Sequence, residues 1–148
     1  MGVSRNPRKG SSYTHNRLIP YYGVAGIRHI GGYLVSGIDG RFKAGIVHLI
    51  LTHEAEKALS SLAEKYNVDA PRLRVGIPKG HVTVSGCYVL EKETIYVATS
   101  DGLADPFLIL HEFYHHLRSV SGRHLGTERY ADKFAREYIN EYRSGSNP

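Results

Sequence analysis

The chain has 148 residues, 41% of them hydrophobic, with nineteen Lys and Arg against fourteen Asp and Glu and a formal net charge of +5. That is enough for one domain with its own core. No stretch approaches the length of a membrane span, the start Met1-Gly2-Val3-Ser4-Arg5 lacks a secretory apolar region, and the single Cys87 leaves no internal disulfide, so a cytoplasmic protein with no membrane contact is the expectation.

The excess charge sits near the N-terminus, with seven basic residues and one acidic through Lys43, against twelve and thirteen in the remainder. Residues 1–17, including Asn6-Pro7-Arg8-Lys9-Gly10-Ser11-Ser12, read as a flexible basic tail ahead of a single domain over 18–148. Such a tail can contact nucleic acid, but a solvated extension is the favoured reading. Between Tyr21 and Gly45 lie seven of the sixteen glycines, among aromatic and β-branched residues. Short strands with tight turns are expected there. Asp39-Gly40 would turn a hairpin between residues 33–38 and 41–42, and Gly31-Gly32 would make another turn.

Thr52 is then the predicted N-cap of a helix over residues 53–66, with Ala55, Leu59, Leu62 and Tyr66 on its apolar side and Asn67 ending it in the left-handed conformation. Strands are predicted at 73–77, 82–90 and 94–99. Asp105-Pro106 follows, an N-cap residue and a proline at the first helical position, where the missing N–H costs nothing. From Phe107 on, Leu108, Ile109, Leu110, Phe113, Leu117 and Val120 are spaced for a buried helical face.

That helix carries His111-Glu112-Phe113-Tyr114-His115. Positions i and i+4 lie one turn apart on the same face, so both imidazoles reach one metal ion, and Glu112 beside them is placed to accept a proton from a metal-bound water. A catalytic site needs a third protein ligand and an open fourth position. His116 points about 100° away around the helix and is expected at the surface or in an outer layer. His124 and Glu128 remain as candidates. Glu128 is favoured, because it opens a further predicted helix capped by Thr127 in which Glu128 and Asp132 face the same way. One carboxylate then binds metal while Asp132 accepts the free N–H of His111. His124, Tyr130 and Tyr138 are the candidates for stabilising an oxyanion. The remaining histidines, His15, His29, His48, His53 and His81, show no ligand spacing and are expected to be structural or solvent-exposed.

His111-Glu112-Phe113-Tyr114-His115 followed by Glu128-Arg129-Tyr130-Ala131-Asp132 and Phe134-Ala135 resembles the gluzincin metallopeptidases. The short interval between the two motifs is similar to that of minigluzincins and of the ImmA/IrrE group of small prokaryotic peptidases. The resemblance covers roughly residues 103–142. It implies one zinc ion (Zn2+) per chain, peptide hydrolysis with a peptide or protein substrate, and an α+β, zincin-like fold: a small twisted sheet packed on helices around the motif-bearing helix. It also implies that an extended substrate adds to an exposed sheet edge. Gly86, Cys87 and Tyr88 would belong to that edge, Gly86 allowing close approach. The alternative is a zinc-containing regulatory or binding module acting on DNA or a DNA-bound repressor, with proteolysis secondary or absent.

Overall fold

The computed structural model describes residues 38–81, 84–120 and 128–145. Residues 1–17, the Gly31-Gly32 turn, most of the first hairpin strand, His15, His29, His124 and the Thr127 cap lie outside the described residues. The fold is α+β: helices α1 (Gly40–Leu51) and α2 (Ala55–Tyr66), strands β1 (Arg72–Val75), β2 (Gly86–Val89) and β3 (Thr94–Val97), then helices α3 (Pro106–Val120) and α4 (Glu128–Arg143).

Helix α1 replaces the predicted hairpin. Asp39 caps it, its side chain accepting the Phe42 N–H at 2.8 Å. Ala44, Ile46, Val47 and Ile50 form its buried face. Asp-Gly serves a hairpin turn and a helix N-terminus equally well, so the residues that follow decide between them. Here the spacing of three and four after Gly40 is helical. Thr52 correspondingly closes α1, its hydroxyl donating to the His48 carbonyl at 2.9 Å, and α2 begins only at Ala55 with Glu54 as an N-cap that makes no side-chain bond. Asn67 ends α2 in the left-handed conformation, φ 57°, as its sequence position predicts.

The three strands form a sheet of order β1-β3-β2, with β1 parallel and β2 antiparallel to β3. β2 is therefore an edge strand among the described residues. It is shorter than the predicted 82–90, because Leu90–Lys92 coil into a 3-10 turn ahead of β3. Ile95 and Val97 of β3 join Ile109, Leu110, Phe113 and Leu117 of α3 in the core. α3 starts as predicted, with Asp105 Oδ1 accepting the Leu108 N–H at 3.1 Å.

Two glycines set how closely α3 approaches the sheet. A Cβ at Gly86 would stand 2.8 Å from Leu108 Cδ1 and 2.9 Å from the Tyr96 carbonyl oxygen; one at Gly102 would stand 2.9 Å from Val97 Cβ and 3.2 Å from Leu108 Cδ2. Leu108, one turn before His111 and Glu112, thus seats in a hollow that only glycine leaves open. At Gly86 the close approach is made by Leu108 of α3.

α4 packs on α1 and α3 through Ala131, Phe134, Ala135 and Tyr138. Tyr138 is buried, and its hydroxyl meets that of Tyr66 at 2.9 Å. This position removes it from the oxyanion candidates: ten residues beyond Glu128, it lies roughly 15 Å further along the helix.

Gly86→Ala and Gly102→Ala are each expected to lower stability by about 1–3 kcal/mol through overpacking against Leu108, read by chemical denaturation. Burial, with the nearby Tyr66 hydroxyl adding to it, raises the Tyr138 pKa well above 10.0. Above pH 10 the unfolded chain therefore releases this proton before the folded one, and stability falls as pH rises. Tyr138→Phe is expected to make that alkaline decline shallower in denaturation measured between about pH 9 and 11.

Candidate metal centre

Helical geometry puts the motif residues in two directions. His111 and His115 share one face of α3; Glu112 and His116, offset by about 100°, share the next. The first pair meets α4. His115 Nε2 lies 3.2 Å from His111 Nε2 and 2.8 Å from Glu128 Oε1, and Glu128 Oε2 is 3.4 Å from His111 Nε2. An ion with tetrahedral bonds of about 2.1 Å has ligand atoms about 3.4 Å apart along each edge. The three side chains therefore converge at the scale of one coordination sphere, and His111, His115 and Glu128 form a group that could hold a metal ion.

Asp132, one turn after Glu128, accepts from His111 Nδ1 at 3.0 Å. A proton held on Nδ1 leaves the Nε2 lone pair facing the cluster, which is the tautomer a metal requires. Arg136, a further turn along, approaches Asp132 at 3.9 Å, and its guanidinium lies over the Phe107 ring. Phe107 itself packs beside His111, with ring centroids 5.9 Å apart. Burial lowers the His115 pKa, and the neighbouring His111 adds to the effect. Both favour the neutral, metal-binding imidazole.

Glu112 sits at the margin of this cluster and is 7% exposed. Burial pushes its pKa up to about 7; His111 opposes the shift, Glu128 adds to it, and a hydrogen bond from the Tyr88 backbone N–H opposes it. A carboxyl with raised affinity for a proton, beside a candidate metal site, is poised to take one up near neutral pH. A cation in the cluster would pull the value back down.

The edge strand reaches the same place. The Ala98 N–H donates to the Ser85 carbonyl, so antiparallel alternation turns the N–H and C=O of Cys87 and Val89 toward β3, and those of Gly86 and Tyr88 away from it. Cys87 thus spends its main-chain groups inside the sheet and has none for a further strand. Its thiol pKa is raised by burial and then by Glu112. Of the predicted edge residues, Tyr88 bonds directly to α3, its hydroxyl 3.0 Å from His116 Nδ1.

His116 differs from its expected outer position. It is fully buried, with Nε2 2.8 Å from the Asp69 carbonyl oxygen and Nδ1 3.0 Å from the Tyr88 hydroxyl. The side of α3 turned away from the metal cluster faces the sheet, not solvent. Tyr130 is exposed and, two residues past Glu128, points about 200° away from it around α4. His48, His53 and His81 are exposed, in line with their lack of ligand spacing. Sequence reasoning also passed over Tyr88 as a side chain. Its only advance signal was a tyrosine in a strand expected to lie at the sheet edge.

No family model, curated protein or solved structure matches this chain.

Glu128→Ala and His115→Ala are each expected to abolish tight binding of a divalent ion, measured by competition with a chromophoric chelator. Asp132→Ala should weaken it by about 10–100-fold through loss of the His111 partner. The thermal stabilisation that the ion gives the wild type should shrink in the same order.

Proposed function

We propose that this protein is a zinc-dependent endopeptidase of zincin-like fold, hydrolysing peptide bonds with Glu112 as the general base. One observation carries the reading: the buried Glu112 carboxyl lies beside a two-imidazole, one-carboxylate cluster, on a helix that packs against β2, the edge strand among the described residues. Two histidines and a glutamate suit zinc, with a coordination position left for water or substrate. When bound, zinc supplies Lewis acidity and a water made acidic enough to ionise near neutral pH.

The residues then divide the work. His111 and His115 present neutral nitrogens, the first held in its tautomer by Asp132, and Glu128 closes the third position from α4. An extended peptide adds to β2, where the outward carbonyls of Gly86 and Tyr88 and the Gly86 N–H are the pairing groups. Main-chain pairing binds substrates with little dependence on side chain and lays the scissile bond beside Glu112. Glu112 takes a proton from the attacking water and delivers it to the leaving amine. A peptide or protein partner in extended conformation follows from this arrangement; a folded one would not fit a strand edge.

Glu112→Gln is expected to lower kcat on an unfolded protein substrate by about 10²–10⁴-fold while the zinc affinity of the His111, His115 and Glu128 group is kept. The measurement is cleavage followed by mass spectrometry at matched zinc occupancy. Undiminished hydrolysis in the variant, or none in the zinc-loaded wild type across a panel of unfolded proteins, would overturn the peptidase reading.

A further inference from the structure

We infer that Phe107 and Arg136 are positioning residues for the metal centre: with His111 and Asp132 they close a ring of four side chains that aims His111 Nε2 at the ligand cluster. The inference deepens the proposed zinc site and rests on that reading for the identity of the ion; the ring itself stands on the contacts among the four residues.

Phe107 and His111 are i and i+4 on α3, and Asp132 and Arg136 are i and i+4 on α4, so each helix supplies one pair of side chains from successive turns. The contacts run round all four. The Phe107 and His111 ring centroids are 5.9 Å apart. His111 Nδ1 donates to Asp132 Oδ1 at 3.0 Å, and the other carboxylate oxygen, Oδ2, is 3.9 Å from an Arg136 guanidinium nitrogen. The guanidinium carbon of Arg136 lies over the Phe107 ring, 5.7 Å from its centroid, which closes the circuit. Phe107 is half-buried and anchored by packing against the hydrophobic core.

Each member restrains its neighbour. An imidazole held by one hydrogen bond can still swing about that bond, and Phe107 against its ring limits the swing. A carboxylate holds its partner's tautomer only while its own plane is fixed. The Asp132 side chain is 36% exposed, and Glu128, one turn back on the same face of α4, repels it. Arg136 offsets that repulsion and engages Oδ2, leaving Oδ1 for His111. Arg136 is itself 64% exposed, and the Phe107 face keeps its planar head from straying into solvent. Because the arginine lies largely in water, its direct repulsion of a bound cation is screened, and its effect on the site runs through the carboxylate.

Two measurements test the ring without reference to activity. One is zinc affinity, by competition with a chromophoric chelator; the other is the His111 tautomer in the metal-free protein, read from its imidazole nitrogen shifts by NMR above the ordinary histidine pKa. Arg136→Ala is expected to weaken zinc binding by about two- to fivefold, the range of an exposed cation–π or ion-pair contact, and to lower the share of His111 that carries its proton on Nδ1. Phe107→Leu, which keeps an apolar side chain without the aromatic face, should do the same. In an Asp132→Ala background, Arg136→Ala should cost nothing further, because its effect passes through that carboxylate. Zinc affinity unchanged or raised in Arg136→Ala, or lowered as much with Asp132 absent as with it present, overturns the ring. Phe107→Leu with wild-type affinity and tautomer overturns the part given to Phe107. A wild type that binds no zinc would sink the zinc reading, and the tautomer then decides the ring by itself, with equal Nδ1–H shares in wild type and Arg136→Ala overturning it. Zinc bound with the expected ranking of variants but no hydrolysis in the wild type would instead sink the peptidase reading and leave the ring standing.

Discussion

One helix has to face two ways at once, and the rest of the architecture follows from that demand. Helix α3 advances about 100° per residue, so His111 and His115 look toward α4 while Glu112 and His116 look toward the sheet. The first pair meets the Glu128 carboxylate of α4, and the second is buried, with His116 bonded to Tyr88 of β2. A rotation of α3 by a single residue would exchange the two faces and destroy both arrangements. Its orientation is held at each end. Asp105 caps the start, Leu108 drops into the hollow left by Gly86 and Gly102, and His116 is bonded on both ring nitrogens near the far end.

The same site gathers polar groups that hold one another. Two imidazole nitrogens meet at 3.2 Å, Glu128 reaches both, and Asp132 bonds His111 from behind. Such a grouping also needs apolar packing to keep its two helices together. The surrounding packing supports it: Ile109, Leu110, Phe113 and Leu117 bind α3 to the core, and Phe134, Ala135 and Tyr138 do the same for α4. A cation among the three ligand atoms would join α3 to α4 and so would couple ion binding to folding stability. Asp132 and Arg136 extend the pattern outward, each one turn beyond the last, so that α4 lays a charged stripe beside the site and an apolar one beneath it.

Legibility varied with how local the deciding forces were. The start of α3 could be read from Asp105-Pro106, and the left-handed end of α2 from Asn67, because caps are settled within a few residues. Asp39-Gly40 could not, since the same dipeptide starts α1 or turns a hairpin, and only burial of Ala44, Ile46, Val47 and Ile50 against other elements chooses. Thr52 misled for a related reason: its hydroxyl bonds backward to His48 as readily as forward into a new helix. The parallel pairing of β1 with β3, which leaves β2 at the edge, depends on contacts far apart in the chain.

By itself the sequence determined which residues could share a helical face: His111 with His115, and Glu128 with Asp132. That follows from a fixed number of residues per turn and needs no knowledge of neighbours. Only the tertiary structure decided what each face meets. It brought His111, His115 and Glu128 to the scale of one coordination sphere, set Asp132 against His111, and turned His116 from an expected outer residue into a buried tie between strand and loop. Periodicity gives the direction of a side chain around its own axis, but the partner found there depends on how helices and strands pack, which involves residues far apart in the sequence.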